Sequence, residues 1–199
     1  VAYAQRLKYQ ITTFVNTFGA RPKIEDELTA QFRGIAHSLK AQLDFPYFTS
    51  GYLIGIGGSG GHLALDFTTD YAAMLDGAQE FVAEPRSAAA ILHKNPTPAD
   101  IQRIAEGMRP TAQFLEERGL VDRIVREPKG GAQERPLLTA LALREDIIKV
   151  ELEFGDLTPE EILARRIHRV ESSEPILIGH LNRKPAQGRR PLLRKLLRR

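Results

Sequence analysis

The sequence predicts an α/β fold with helices packed on a mainly parallel sheet. Short runs rich in β-branched residues alternate with longer segments of helical apolar spacing, the pattern of strand–helix–strand units. One of those strands ends in a glycine run, Gly55-Ile56-Gly57-Gly58-Ser59-Gly60-Gly61, that leads toward a helix. Composition agrees: 42% of the 199 residues are apolar and 27% charged, enough for an ordinary folded core in one or two domains.

Residues 2–10 read as the end of a helix. Ile11–Thr17 is short and β-branched, so it predicts a buried strand, and Gly19 and Pro22 break the chain after it. Glu25–Leu43 carries Leu28, Phe32, Ile35, Ala36 and Leu39 at helical spacing and is predicted as one helix, stopped by Pro46. Phe48–Ile56 is the second strand, and 62–68 a short helix after the glycines. Tyr71–Leu75 and Glu80–Ala83 read as strands around a turn at Asp76-Gly77.

Ser87–His93 is helical and alanine-rich. Thr97-Pro98 caps a helix over Ala99–Met108. Thr111 caps Ala112–Arg118, stopped by Gly119. Val121–Val125 is extended. Helices follow over Arg135–Phe154 and, from the capping box Thr158-Pro159-Glu160-Glu161, over Glu160–Val170. This last third is predicted to lie outside the sheet. No internal repeat stands out.

The chain has no cysteine, which excludes a disulfide framework, a thiolate metal site and a cysteine nucleophile. No apolar run reaches the roughly 20 residues that span a bilayer. The N-terminus lacks signal-peptide layout, so a cytoplasmic setting (plastid stroma in a eukaryote) is expected. The start at Val1 with no lead-in suggests a piece of something longer. Residues 183–199 hold eight basic residues and no acid, whereas the other 182 carry 20 basic and 25 acidic groups, net −5. The basic character therefore belongs to the tail and implies no nucleic-acid partner for the body.

A strand that ends in glycines and enters a helix has a physical use. Glycine lets a ligand approach the main chain, and the first helix amides lack intrahelical partners at the positive end of the dipole. Such amides bind phosphate or stabilise an oxyanion. The run is no Walker loop, since no Lys-Ser/Thr pair follows. It fits GxGxxG formally, without a clear acid-ended strand about 20 residues on. A tight turn with close helix–sheet packing fits the same residues.

The order of segments resembles one family. Phe14-Val15-Asn16-Thr17-Phe18-Gly19-Ala20-Arg21-Pro22 is similar to FVDTPGAYP, and Gly57-Gly58-Ser59-Gly60-Gly61 with Leu63-Ala64-Leu65 to GGSGGALAL. Ala89-Ala90-Ile91-Leu92, Thr111-Ala112-Gln113, Gly119-Leu120-Val121-Asp122, Glu127-Pro128 and Gly130-Gly131-Ala132 follow in the same order. Leu157-Thr158, Glu161 and Arg165-Arg166 close the series. Together they resemble the alpha subunit of the bacterial-type acetyl-CoA carboxylase carboxyltransferase, over roughly residues 2–171.

The resemblance implies a partial crotonase-like (ClpP/crotonase) fold of stacked ββα units. Its expected division is a carboxyltransferase domain over 1–134, C-terminal helices over 135–171 and a flexible basic tail over 172–199. The implied activity is carboxyl transfer from carboxybiotin on a carrier protein to acetyl-CoA, giving malonyl-CoA for fatty acid synthesis. A coenzyme A thioester is then the substrate, and this chain holds no metal. The implied partners are a beta subunit with a zinc ribbon and the biotin carboxyl carrier protein, in an α2β2-type assembly. The oxyanion hole is expected at the backbone of Gly60, Gly61 and His62, with Gly57, Gly58, Ser59, Gly19, Ala20 and Arg86 binding substrate.

The sequence departs from the family pattern near that site. Ile56 stands where the family has Glu, Phe18 replaces a Pro, Asn16 an Asp and Lys23 a Gly. Glu84-Pro85-Arg86-Ser87 replaces SPEG, and His62 a small Ala. A catalytically weakened homologue acting as scaffold or regulatory subunit is therefore the alternative reading. A stand-alone hydratase would need a carboxylate pair beside the glycines, and none is clear.

Other residues have plainer readings. The imidazole of His62 is read as incidental to its backbone amide. His37, His93, His168 and His180 show no metal spacing. Glu25-Asp26-Glu27 suits a helix start. Arg86 and Lys129 are candidates for coenzyme A phosphates or solvated cations. The tail leucines 192, 193, 196 and 197 line one helical face; membrane contact is compatible with that spacing, but a disordered end is expected.

Overall fold

In the computed structural model, which describes residues 1–20, 23–59 and 68–181, five strands form one sheet. They are β1 (Ile11–Thr17), β2 (Thr49–Gly57), β3 (Tyr71–Leu75), β4 (Gln79–Glu80) and β5 (Arg123–Val125). The order is β1-β2-β3-β5, with β4 beside the far end of β2, and every pairing is parallel. Parallel sheets are covered on both faces. β3 is accordingly buried at all five positions, and β2 over its first five.

The helices are α1 (Ala2–Leu7), α2 (Ile24–Leu28), α3 (Gln31–Leu43), α4 (Pro85–Leu92), α5 (Pro98–Met108), α6 (Ala112–Glu117), α7 (Gly131–Glu134), α8 (Pro136–Phe154) and α9 (Pro159–Leu181). Three caps form as the sequence predicts. Thr97 and Asp100 make a reciprocal capping box on α5, and Thr111 Oγ1 accepts from Phe114 N–H on α6. Thr158 Oγ1 accepts from Glu161 N–H while the Glu161 carboxylate accepts from Thr158 N–H at 2.8 Å. The Thr158 bonds, backbone first, hold the Glu161 carboxyl below the ordinary glutamate range.

Three elements differ from expectation. The single helix over 25–43 is two, because Ala30 takes the left-handed conformation at φ 61°. Thr29 Oγ1 donates to the Asp26 carbonyl at 2.7 Å, a local bond that competes with helix continuation. Leu28 and Phe32 keep helical spacing across that break yet are exposed. The strand over 80–83 stops at Glu80, since Phe81 N–H bonds the Gly57 carbonyl and β2 offers no later residue. Helix α9 runs past Val170 to Leu181. The predicted helix at 62–68 falls outside the described residues except for Thr68, and so does the tail from 182.

Two buried carboxylates lock α8 and α9 onto the sheet. Asp70, fully buried, follows the 60–67 segment and pairs with Arg166 of α9. Arg166 donates from Nε to Asp70 Oδ1 (2.7 Å) and from one Nη to Oδ2 (2.9 Å). Its remaining bonds reach the carbonyls of Leu43 (2.9 Å), Phe45 (2.6 Å) and Tyr47 (3.1 Å). Asp70 Oδ2 also accepts from Thr49 N–H and Oγ1. All five guanidinium N–H groups thus have acceptors, the condition for tolerating a buried ion pair.

Asp146 of α8 accepts from Tyr52 and Tyr71 hydroxyls at 3.0 and 2.9 Å and from Arg123 at 2.8 Å. Burial, then the Asp146 charge, pushes both tyrosine hydroxyls well above the ordinary range. The apolar core around these polar ties includes Phe48, Leu53, Met74, Leu75, Val150 and Ile162.

Candidate active site

The glycine run lies at the end of β2, and its neighbour is the end of β1. Thr17 pairs with Gly57, and a register shift between Val15 and Thr17 sets Asn16 apart. Asn16 Oδ1 accepts from Ile56 N–H at 3.0 Å. A Cβ on Gly55 would lie 2.5 Å from that oxygen, so the amide occupies the space a side chain would need.

Gly58 is held more closely still. Its N–H donates to the Thr17 carbonyl at 2.7 Å, and a Cβ there would sit 2.0 Å from the Phe18 carbonyl oxygen. Two backbone turns touch at this point, which only glycine allows. Gly19 completes the contact with φ 94°, its N–H bonding Thr17 Oγ1 at 3.2 Å. On the other side, Gly57 faces the stem of Glu80, a buried carboxylate on β4. Ser59 is already helical. The strand-to-helix passage read from the sequence therefore exists as far as it is described, and Gly60, Gly61 and His62 lie outside the described residues.

The turn after β1 opens on a groove of about 420 Å³. Thr17, Gly19 and Ala20 form one wall. Gln31, Gly34, Ile35, Ser38, Leu39 and Gln42 of α3 form the other. The mixture of amides, hydroxyls and aliphatic carbons suits a ligand with both polar and apolar parts, and the size falls in the usual range of about 300–1,000 Å³. At the inner end, Thr68 Oγ1 donates to Gln42 Oε1 at 2.6 Å. The Arg166 bonds to Leu43, Phe45 and Tyr47 fix the chain just beyond α3. The α3 wall is thus anchored beside a buried ion pair.

The structure brings together Gly19, Ala20, Gly57, Gly58 and Ser59 from two distant sequence segments. Arg86 stands apart. It is exposed in the first turn of α4, whose cap is Glu84 accepting from Ser87 N–H and Oγ, and it does not line the groove. Sequence reasoning missed the polar wall of α3. Gln31, Gly34, Ser38 and Gln42 recur at spacings of three and four, so they share one helix face. That signal was masked by the apolar residues interleaved with them. Glu80 was also missed, because a lone glutamate in a short polar strand carries no pattern. Among the described residues no group of three or more His, Asp or Glu converges as a metal-ligand set, and no helix is long and apolar enough to cross a membrane.

Residues 1–173 match the family described as acetyl co-enzyme A carboxylase carboxyltransferase-like. A relative from Haemophilus ducreyi, the acetyl-coenzyme A carboxylase carboxyl transferase subunit alpha, is 40% identical over 171 residues, covering 85% of this chain and 52% of its own. The protein of the same description from Bordetella avium is 37% identical over 169 residues, covering 84% and 51%. The chain spans about half the length of the relatives it matches. Among solved structures, a Pseudomonas malonate decarboxylase hetero-tetramer in complex with coenzyme A aligns with a TM-score of 0.65 at 14% identity, over 89% of this chain and 68% of that one. The transcarboxylase 12S core with methylmalonyl-coenzyme A bound aligns at 0.56 and 19% identity, over 72% and 28%. At such identities these likenesses concern the fold, which is the partial crotonase-like fold expected from the sequence.

Proposed function

The chain belongs to the acetyl-coenzyme A carboxylase carboxyltransferase-like family, and from that premise we propose that it is the alpha-type part of a heteromeric carboxyltransferase that makes malonyl-CoA. The observation that carries this reading is the placement of the glycine run. It ends a buried parallel strand, touches the turn after β1 at Gly58, and adjoins the groove walled by Gly19 and Ala20.

Carboxybiotin on a carrier protein is the donor substrate and acetyl-CoA the acceptor. A carbon–carbon bond forms at the acetyl methyl, the donor nitrogen–carboxyl bond breaks, and the methyl proton passes to the donor nitrogen. Negative charge develops on carbonyl oxygens in both halves of that exchange. We assign the donors to the backbone N–H groups of Gly60, Gly61 and His62, with Gly57, Gly58 and Ser59 binding substrate. Fixed amides need no reorganisation when charge appears, which makes them effective oxyanion donors.

Gly19 and Ala20, with the Gln31–Ser38–Gln42 face opposite, hold the polar part of the ligand in the groove. Arg86, outside the groove, is assigned a peripheral contact with a coenzyme A phosphate. A beta subunit with a zinc ribbon and the biotin carboxyl carrier protein complete the α2β2-type assembly, in the cytoplasm.

The test mixes the chain with a beta-type partner and measures malonyl-CoA-dependent carboxylation of biotin, beside a Gly60→Val, Gly61→Val double variant. Transfer that needs both chains and is lost in the variant is the expected result. A tight complex with no transfer, or transfer indifferent to the variant, overturns the reading.

A further inference from the structure

Helix α8 is apolar on two opposite sides. On the side toward the sheet, Val150 is buried and Leu143, Ile147 and Phe154 pack against the core, beside the buried Thr139 and Asp146. Leu137, Leu141, Ile148 and Leu152 share the opposite face, within about 60° of arc. Leu137 and Leu152 are 79% and 81% exposed. A contiguous exposed apolar stripe of this kind marks an interaction site.

The charges beside the stripe say which partner fits. Arg144 and Glu151 flank it on one side, Glu145 and Lys149 on the other. Each flank carries one charge of each sign. Such a face has no net attraction for an anionic surface such as a membrane or nucleic acid. It is complementary to itself. When two copies are set antiparallel about a two-fold axis level with residue 147, like flank meets like flank. Arg144 then faces Glu151 of the second copy, and Glu145 faces Lys149. Leu141 meets Leu152 of the second copy across the axis. Antiparallel setting also aligns the two helix dipoles favourably.

We propose that α8 pairs with α8 of a second copy of this chain, antiparallel, through the Leu141–Ile148–Leu152 stripe. The stripe lies on no wall of the candidate groove, so the pairing stands or fails independently of the carboxyltransferase reading.

Because the 199-residue chain has no cysteine, introduced thiols report orientation directly. Mixing Leu141→Cys and Leu152→Cys chains under mild oxidation is expected to give the mixed disulfide dimer. Leu152→Cys alone is expected to give none, since its two copies would lie about 15 Å apart along the axis, from 1.5 Å rise per residue. Sedimentation equilibrium between about 1 and 100 μM is expected to show a dimer, weakened about tenfold or more by Leu152→Lys, a change equal to about 1.4 kcal/mol. Arg144→Glu is expected to weaken it, and adding Glu151→Arg to restore it. Circular dichroism of each variant checks that the fold is kept. A monomer throughout that range, a Leu152 self-disulfide, or failure of the charge swap to restore the dimer overturns the proposal.

Discussion

Replacing Arg166 with methionine keeps most of the side-chain volume and removes five hydrogen bonds at one stroke. Asp70 Oδ1 loses the partner at 2.7 Å, while Oδ2 keeps the two donors of Thr49. The carbonyls of Leu43, Phe45 and Tyr47 lose theirs as well. Breaking a buried ion pair from one side costs about 3–5 kcal/mol, because the remaining charge stays desolvated. Water reaching the three carbonyls keeps their loss from adding in full. The expected destabilisation is therefore about 3–5 kcal/mol, a fall in Tm of roughly 6–20 °C for a chain of this length. Urea unfolding followed by circular dichroism reads it as a lower midpoint at unchanged slope. The double variant Asp70→Asn, Arg166→Met is expected to lose less than the two single variants combined, since neither then strands a charge. A loss below about 1 kcal/mol for Arg166→Met would refute the claim that this pair fastens α3 and α9 to the sheet.

Other expectations follow from the same contacts. Gly58→Ala forces apart two backbone segments that a Cβ would approach to 2.0 Å, so it is expected to cost about 1–3 kcal/mol in thermal unfolding and to lower carboxyl transfer. Gly107→Ala is the contrasting case, because nothing lies within 4 Å of its Cβ in helix α5; it is expected to stabilise by about 0.5–1 kcal/mol. Alkaline stability tests the Asp146 cluster. Tyr52 and Tyr71 stay protonated in the fold above the pH near 10 where unfolded tyrosine ionises, so the unfolded chain binds fewer protons there and stability falls as pH rises. The slope approaches about 1.4 kcal/mol per pH unit for each tyrosine. Denaturant melts from pH 9 to 11 on the wild type and on Tyr52→Phe, Tyr71→Phe check it: the double variant should lose that slope while starting from lower stability.

Much of this arrangement was legible in the residues, and the failures have causes. The cap at Thr97 and the capping box of Thr158 with Glu161 were readable because they are local in sequence and geometry, whereas the return bond of Asp100 to Thr97 emerged only in the structure. β2 and β3 were readable because continuous burial selects continuous apolar runs. The break at Ala30 was not, because apolar periodicity passes through it unchanged and says nothing of φ. The glycine run was recognisable by type, but its tight neighbour at Phe18–Gly19 lies about 40 residues away and leaves no mark on local pattern. Asp70 and Asp146 read as ordinary polar residues. Only their partners, Arg166 and the tyrosine pair, reveal that they are buried, and those partners come from other elements.

The bond between Asp70 and Arg166 also has a bearing on how the chain is made. Its partners are 96 residues apart, and the acid emerges first. At roughly 5–20 residues per second on the ribosome, the carboxylate waits about 5–20 s for its arginine to be synthesised. During that interval β2 and β3 have been delivered while the guanidinium that makes burial of Asp70 tolerable has not. Closing the nascent sheet over Asp70 ahead of α9 leaves an unpaired buried charge, which favours strands that stay accessible to chaperones until Arg166 has been made. A ribosome stalled just before Arg166 would hold a chain with all five described strands and the Asp146 cluster made, but with Asp70 still unpaired.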